Sequence, residues 1–345
     1  MKEYFYDLTP EKVIQAIEQC GFIPTGRVFP MNSYENRVFD VYLENSPNII
    51  IKFYRPGRWS KEQIQEEHDF IFDLHESEIP VSRPVEFSDK STIKEISGIY
   101  YSVWDKIGGR APDEFTEEEI AVIGRLIARI HKTGSAGNSV HRPTFNSEEY
   151  VEKSISFLEE NQFLPKSCVR RYTDSASEIS RIFSELSHGL PIHRIHGDCH
   201  KGNLLCGSGG WFFLDFDDFA NGHAVQDIWM LLPSSGDTSD FQRNIFLEAY
   251  REFADFDDGW LELIEPLRAF RFIHYAAWIA KRWDDPAFPA LFPHFGTSEY
   301  WEKETNDLEN QLKIILKSSH KNVSRSFAEQ AEEPELTNKD FFWDM

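Results

Sequence analysis

Cysteine is scarce in this sequence: there are four among 345 residues, and no two have Cys-x-x-Cys spacing. A disulfide framework is therefore not expected at this size, and a reducing cytoplasm is the simplest setting. Apolar residues nowhere form the run of about eighteen that a membrane-spanning helix needs. The first residues show no basic segment followed by an apolar one, so we expect no signal peptide.

Positive charge is also in short supply. Lys and Arg number 36 against 58 Asp and Glu, and the formal net charge is −22. Nucleic-acid binding needs a surplus of cations to displace counterions, and anionic membranes attract basic surfaces, so neither is expected as a partner. The 41% hydrophobic and 27% charged residues are typical of a globular protein with a buried core.

Strand patterns dominate the first third of the chain, and helical patterns the rest. Residues 37–43 and 48–54 are β-branched and aromatic runs around a turn, so they predict an antiparallel hairpin. Further extended segments are expected at residues 81–87 and 98–105. Helical periodicity is found at residues 10–19, 60–75, 116–132, 147–161, 170–187, 239–254, 260–283 and 298–317.

This pattern predicts an α+β protein with two lobes. Residues 1–107 are expected to form an antiparallel sheet with a helix, and residues 108–317 a mainly helical lobe. Residues 318–345 are polar and charged, so we expect a disordered tail there.

The strongest chemical signal is a pair of connected motifs. Residues 196–203 are HGDCHKGN, and residues 214–217 are LDFD. Asn203 follows Asp198 by five residues, and Asp215 comes twelve residues later. Three oxygen donors on two connected loops suit a hard divalent cation that bridges phosphates. The spacing separates two tasks, because Asp198 can face an incoming hydroxyl while Asn203 and Asp215 hold the metal.

These motifs resemble the aminoglycoside phosphotransferase and choline kinase superfamily, which has a protein-kinase-like fold. Residues 32–38, 52–56, 225–232 and 265–268 further resemble a bacterial branch of protein serine/threonine kinases. The resemblance covers residues 10–315. It implies a two-lobe kinase fold with a nucleotide-binding N-terminal lobe and a catalytic, helical C-terminal lobe.

The resemblance also implies roles for individual residues. Asp198 matches the catalytic base, and Asn203 and Asp215 match the magnesium ligands, with Asp215 counted among the catalytic residues. Lys52 matches the phosphate-binding lysine, and Ser33 lies where the nucleotide loop contacts ATP.

Lys52 ends a β-branched strand that would hold its ammonium group rigidly against phosphate. Glu67 shares the apolar face of the following helix, where a carboxylate needs a cation, and Lys52 is the natural partner. Glu66 is the rival for this pairing, because the sequence does not fix the rotation of the helix.

Two features depart from the wider kinase pattern. No G-x-G-x-x-G precedes the hairpin, where residues 31–36 read MNSYEN. Without glycines the backbone approaches phosphate less freely, so side chains of Ser33, Asn36 or Arg37 are expected to donate instead. Asp215-Phe216-Asp217 replaces D-F-G, so an activation loop that flips on phosphorylation is not expected.

Several residues have competing interpretations. His193, His196 and His200 could bind zinc with Asp198, although the glycine-rich context does not favour a helix that presents them together. Asp227 is expected to anchor the catalytic loop by hydrogen bonds.

Three further side chains, in or just after the two motifs, have two interpretations each. Asp217 and Asp218 either assist the metal or are structural. Cys199 is expected to be a small buried residue, with redox control as the alternative.

The sequence thus predicts a monomeric, ATP- and Mg²⁺-dependent phosphotransferase. Serine or threonine of a protein is the favoured acceptor, and a small alcohol such as homoserine, choline or an aminoglycoside is the alternative. A regulatory pseudokinase is a third interpretation, against which the intact set of Lys52, Asp198, Asn203 and Asp215 argues.

Overall fold

The β-branched and aromatic runs of the first third form one antiparallel sheet. In the computed structural model, which describes residue 5 and residues 8–232 and 237–321, its strands are β1 (Pro24–Pro30), β2 (Arg37–Leu43), β3 (Ile49–Phe53), β4 (Lys94–Ile96) and β5 (Ile99–Asp105). Their order is β1-β2-β3-β5-β4, and every neighbouring pair is antiparallel. The central strand β3 aligns Lys52 with Val38 on one side and Ser102 on the other.

The sheet differs from the sequence prediction at its edges. The hairpin predicted over residues 37–54 is confirmed as β2 and β3. Residues 81–87 form only isolated bridges, through Val81 and Pro84. Strand β1 was not predicted, because Pro24, Gly26 and Pro30 are typical of turns, and proline is tolerated in strands chiefly at a sheet edge.

Two helices complete this part of the fold. Helix α1 (Pro10–Gln19) begins with proline after the cap residue Thr9, and its buried Val13, Ala16 and Ile17 join the core of the sheet. Helix α2 (Lys61–Glu76) begins with a reciprocal capping box between Ser60 and Gln63.

A short hairpin leads into a tight turn that lies against α2. Strands β7 (Leu204–Gly207) and β8 (Gly210–Phe213) pair antiparallel, and a 3-10 turn at Phe216–Asp218 follows. Phe70 of α2 contacts Phe216 and Phe219, with ring centroids 5.9 and 5.2 Å away. These ring contacts fix the segment that contains Asp215 and Asp217 against α2.

The chain divides into two units. The first comprises Met1–Phe115, Lys132–Arg142 and His200–Phe219, and the second Thr116–His131, Pro143–Cys199 and Ala220–Met345. The lobe boundary expected at residues 107–108 stays a prediction. Of the tail predicted over residues 318–345, residues 318–321 belong to the last helix (Ser298–Lys321), and the rest lies outside the described residues.

The second unit is mainly helical. Its elements are α3 (Glu117–Ser135, in this unit up to His131), α4 (Lys153–Glu160), α5 (Val169–Ser187), β6 (His193–Ile195), β9 (Ala220–Gly222), α6 (Val225–Trp229), α7 (Asp237–Tyr250), α8 (Ile264–Lys281), α9 (Ala287–Leu291) and α10 (Ser298–Lys321). Helix α8 is central, because it contacts α4, α5, α6 and α10. The antiparallel pair β6–β9 leads directly into residues 196–199. No described helix is long and apolar enough to cross a membrane.

Candidate active site

Three carboxylates surround the ammonium group of Lys52 in the first unit. Lys52 Nζ is 3.0 Å from Asp215 Oδ1, 3.0 Å from Asp217 Oδ1 and 3.3 Å from Glu67 Oε1. Lys52, Glu67 and Asp217 are buried, whereas the Asp215 side chain is 49% exposed. We call these four residues the Lys52 cluster. Its lysine is fixed on three sides, and only Asp215 presents a carboxylate to solvent.

The partner of Lys52 is Glu67 and not Glu66. Helix α2 turns Glu67 into the buried face, where its side chain is fully enclosed. The Glu66 carboxylate instead accepts hydrogen bonds from the backbone N–H groups of Val140 (2.7 Å), His141 (2.9 Å) and Arg142 (2.9 Å). Helix periodicity left open whether Glu66 or Glu67 pairs with Lys52. The hydrogen bonds of Glu66 decide this in favour of Glu67.

Competition for one ammonium group separates the pKa values of the cluster. Burial raises the pKa of Glu67 to about 7, because the attraction of Lys52 only partly offsets burial and the repulsion of Asp217. Burial alone would also raise the pKa of Asp217, but Lys52, Arg58 and Arg142 lower it. The pKa of Lys52 is well above its usual value, because the three carboxylates outweigh burial. Glu67 is thus the least neutralised acid of the cluster.

Two arginines hold the turn that contains Asp217. Arg58 forms ion pairs with the carboxylates of Asp217 and Asp218. Arg142 donates to the backbone carbonyl of Asp217 and, at 2.8 Å, to that of Phe219. With Lys52, Arg58 and Arg142 around it, Asp217 fits the structural interpretation better than that of a metal ligand.

Asp215 has an unusual backbone conformation for a residue with a side chain. Its φ is 55°, in the left-handed region, which asparagine and aspartate tolerate better than most residues. The preceding residue, Leu214, donates its N–H to the carbonyl of Asn203 at 2.9 Å. One backbone hydrogen bond thus joins Asn203 to the residue that precedes Asp215.

The donor chemistry of this pair fits magnesium. Amide and carboxylate oxygens are hard ligands, and Mg²⁺ is usually held by one or two carboxylates together with substrate phosphates and water. Within the described residues, no group of three or more His, Cys, Asp or Glu side chains could hold a metal ion. The zinc site considered for His193, His196, His200 and Asp198 is therefore not assembled.

The glycine-free loop before β2 is held by an arginine that follows β3. Arg55 donates through Nε to the carbonyl of Glu35 and through Nη2 to that of Tyr34, both at 3.0 Å. Its backbone N–H donates to Asn36 Oδ1 at 3.1 Å. Glu35 forms a 3.0 Å ion pair with Arg55 and lies 3.7 Å from Arg58.

The side chains expected to contact ATP lie in or beside this loop. Ser33 is half-buried, and Arg37 lies with its guanidinium 4.9 Å from the ring centroid of Phe5. Their contacts with ATP stay a prediction. Asn36 accepts a hydrogen bond from Arg55, so its side chain serves the loop itself.

The first half of the HGDCHKGN motif, residues 196–199, lies in the second unit and is anchored by Asp227. Its two carboxylate oxygens accept the backbone N–H groups of His196 (2.7 Å) and Gly197 (2.8 Å). Gln226 donates to the carbonyl of Gly197 at 3.0 Å. Asp227 also lies 3.0 Å from His131 Nε2. The predicted anchoring role of Asp227 is confirmed.

Asp198 contacts an arginine that the sequence did not single out. Its Oδ1 lies 3.2 Å from Arg271 Nη1 on α8, and both side chains are largely buried. Arg271 lies in a helix whose pattern indicates only core packing, so no sequence signal distinguished it. The neighbouring Cys199 is fully buried, and burial raises the pKa of its thiol well above the usual value, which argues against redox control.

Comparison with known proteins identifies the family. A model of the phosphotransferase enzyme family (APH) matches residues 27–265. Stress response kinase A of Escherichia coli (strain K12) is 36% identical over 312 residues, or 90% of this chain and 94% of the relative. The chain belongs to the phosphotransferase enzyme family. It is a phosphotransferase, and the resemblance to a bacterial branch of the superfamily is confirmed.

Other similar proteins agree in fold and extent. Serine/threonine protein kinase RdoA of Salmonella typhimurium (strain LT2) is 36% identical over 314 residues, with 90% of this chain and 94% of the relative covered. The solved amicoumacin kinase in complex with AMP-PNP and Ca²⁺ has a TM-score of 0.69 at 20% identity, covering 90% of this chain and 93% of that one. The solved structure of a microcompartment-associated aminopropanol kinase has a TM-score of 0.66 at 16% identity. It covers 91% of this chain and 98% of that one. The predicted α+β kinase-like fold is confirmed.

Proposed function

We propose that the protein transfers the γ-phosphate of ATP, with Mg²⁺, to the hydroxyl of a serine or threonine in a protein. The acceptor class rests on the 36% identity, over 90% of this chain, to relatives named stress response kinase A and serine/threonine protein kinase RdoA. The reaction class rests on the family and on the complete set of functional side chains.

The observation that carries the proposal is the Lys52 cluster. A buried ammonium 3.0 Å from Asp215 Oδ1 and 3.3 Å from Glu67 Oε1 is oriented by the protein itself. In this proposal Lys52 binds the α- or β-phosphate, and Glu67 keeps its side chain in place. Little reorganisation is then needed when nucleotide binds, which favours electrostatic catalysis.

Asn203 and Asp215 would hold the magnesium ion. The chemistry supplied by Mg²⁺ there would be neutralisation of the charge that develops on the phosphate groups during transfer. Asp198 orients the acceptor hydroxyl. The acceptor oxygen bonds to the γ-phosphorus while the bond to the β–γ bridging oxygen breaks, the hydroxyl proton passes to Asp198, and ADP leaves.

The test is transfer of label from γ-labelled ATP. The protein is incubated with Mg²⁺ and either a mixed protein pool or a metabolite pool, alongside Asp198→Asn. We expect label on serine and threonine of proteins with the wild type and at least about a hundredfold slower labelling with the variant, which should still bind ATP. Label in the metabolite pool alone would assign a small alcohol as acceptor. ATP binding without transfer to either pool would indicate a pseudokinase.

A further inference from the structure

Asp198 has a charged partner on the central helix of the second unit. Arg271 Nη1 lies 3.2 Å from Asp198 Oδ1, and the exposed fractions of the two side chains are 17% and 10%. The same nitrogen lies 3.7 Å from Met230 Sδ, the atom that also accepts from Gln226 Nε2 at 3.6 Å. Gln226 in turn donates to the carbonyl of Gly197, next to Asp198.

From this geometry we propose that Arg271 is the positioning residue of the catalytic base, a role that rests on the proposed function above. Backbone hydrogen bonds to Asp227 fix the loop at His196 and Gly197, and these bonds act on the backbone. The Arg271 guanidinium acts on the Asp198 carboxylate itself, and a charge-assisted hydrogen bond in a buried setting is strong and directional. The acceptor hydroxyl then meets a carboxylate already in its reactive orientation.

Two arginines of α8, Arg268 and Arg271, have different partners. Arg268, three residues earlier, lies 3.3 Å from Glu265 and covers the ring of Trp229 at 5.0 Å. Glu265 and Trp229 both lie outside the HGDCHKGN motif, and the Arg268 side chain is even more buried than that of Arg271. Arg268→Gln is therefore a matched control, because it also removes a guanidinium from the same helix.

The experiment measures labelled transfer from Mg-ATP to the mixed protein pool. Arg271→Met should lower kcat by about 10- to 100-fold, as expected for a misplaced catalytic group, with the KM for ATP changed less than about threefold. Arg271→Lys should recover part of the loss. In Arg271→Ala, added millimolar guanidinium or methylguanidinium should raise the rate, whereas Arg268→Gln should not respond to either.

A double-mutant test separates positioning from general stability. In an Asp198→Asn background, Arg271→Met should cause no further loss beyond about twofold, because the group that it positions is already inactive. Additive losses, or an Arg271→Met variant as fast as the wild type, would overturn this inference alone. A loss that neither lysine nor guanidinium restores would do the same. A wild type that transfers to no pool would instead overturn the proposed function, and this inference with it.

Discussion

Glu67 lies farther from the Lys52 ammonium than either aspartate of the cluster does, at 3.3 Å against 3.0 Å for Asp215 and Asp217. It is also the most completely buried of the three acids. Asp217 has two arginines in addition to Lys52, and Asp215 has solvent. The negative charge of Glu67 is therefore poorly stabilised, and Glu67 changes its protonation state near neutral pH.

The first prediction concerns the pH dependence of stability. The folded-state pKa of Glu67 is raised from 4.5 to about 7, so folding favours its protonated form. This contribution to stability is fully present below pH 4.5 and is lost as pH rises towards 7. Relative to Glu67→Gln, the wild type should lose up to about 3 kcal/mol of unfolding free energy across this range. Urea denaturation at several pH values measures it.

Glu66→Gln is the matched control for that titration. Burial tends to raise the pKa of Glu66, but the hydrogen bonds from residues 140–142 outweigh it and lower the pKa. The contribution of Glu66 to stability is therefore lost only as the pH falls below 4.5, the ordinary pKa of a glutamate. The difference in unfolding free energy between Glu66→Gln and the wild type should stay constant between pH 5 and 7. A flat difference for Glu67→Gln as well would contradict the charge distribution described for the cluster.

The second prediction separates the two carboxylates of the loop after β8. Asp215→Asn should weaken Mg²⁺-dependent ATP binding by at least about tenfold, because it removes the exposed charged oxygen proposed for the metal. Asp218→Asn removes a neighbouring carboxylate that pairs with Arg58. It should keep the effect of Mg²⁺ on ATP affinity. Calorimetric titration with and without Mg²⁺ distinguishes them, and equal losses would rule out a special role for Asp215.

The third prediction concerns the anchor of the catalytic loop. Asp227 is fully buried and accepts two backbone N–H groups, so Asp227→Ala leaves two buried donors without their partner. The loss should be about 3–5 kcal/mol of unfolding free energy. Asp227→Asn keeps one acceptor oxygen and should lose less. Thermal unfolding measures both, and an unchanged transition in Asp227→Ala would show that the loop holds itself.

The sequence predicted this site unevenly, for a physical reason. Asp198, Asn203 and Asp215 could be proposed from the sequence because all three lie within one short stretch of chain, and their roles stay a prediction. The face of Glu67 followed from helix periodicity, but only the hydrogen bonds of Glu66 fixed the rotation. Arg271 and Arg58 were missed because their partners are 73 and 159 residues away, and such contacts depend on the folded chain.

The last prediction concerns Arg58, which connects the loop at residues 31–36 with the turn at residues 215–218. Its guanidinium pairs with Asp217 and Asp218 and lies 3.7 Å from Glu35. In Arg58→Met, Asp217 still has Lys52 and Arg142, and Glu35 still has Arg55, so the fold should persist. The loop at residues 31–36 and the turn at residues 215–218 would no longer share a cation. We therefore expect ATP affinity to fall by about tenfold.

Arg58→Lys tests whether the planar guanidinium is required. An ammonium carries the same charge but cannot make parallel hydrogen bonds to two carboxylates, so it should restore only part of the affinity. Arg55→Lys removes the bonds to the carbonyls of Tyr34 and Glu35 but leaves the turn around Asp217 unchanged. Its loss should therefore be the same with and without Mg²⁺, whereas the loss in Arg58→Met should be larger with Mg²⁺. Full affinity in Arg58→Lys would mean that charge alone connects the two segments.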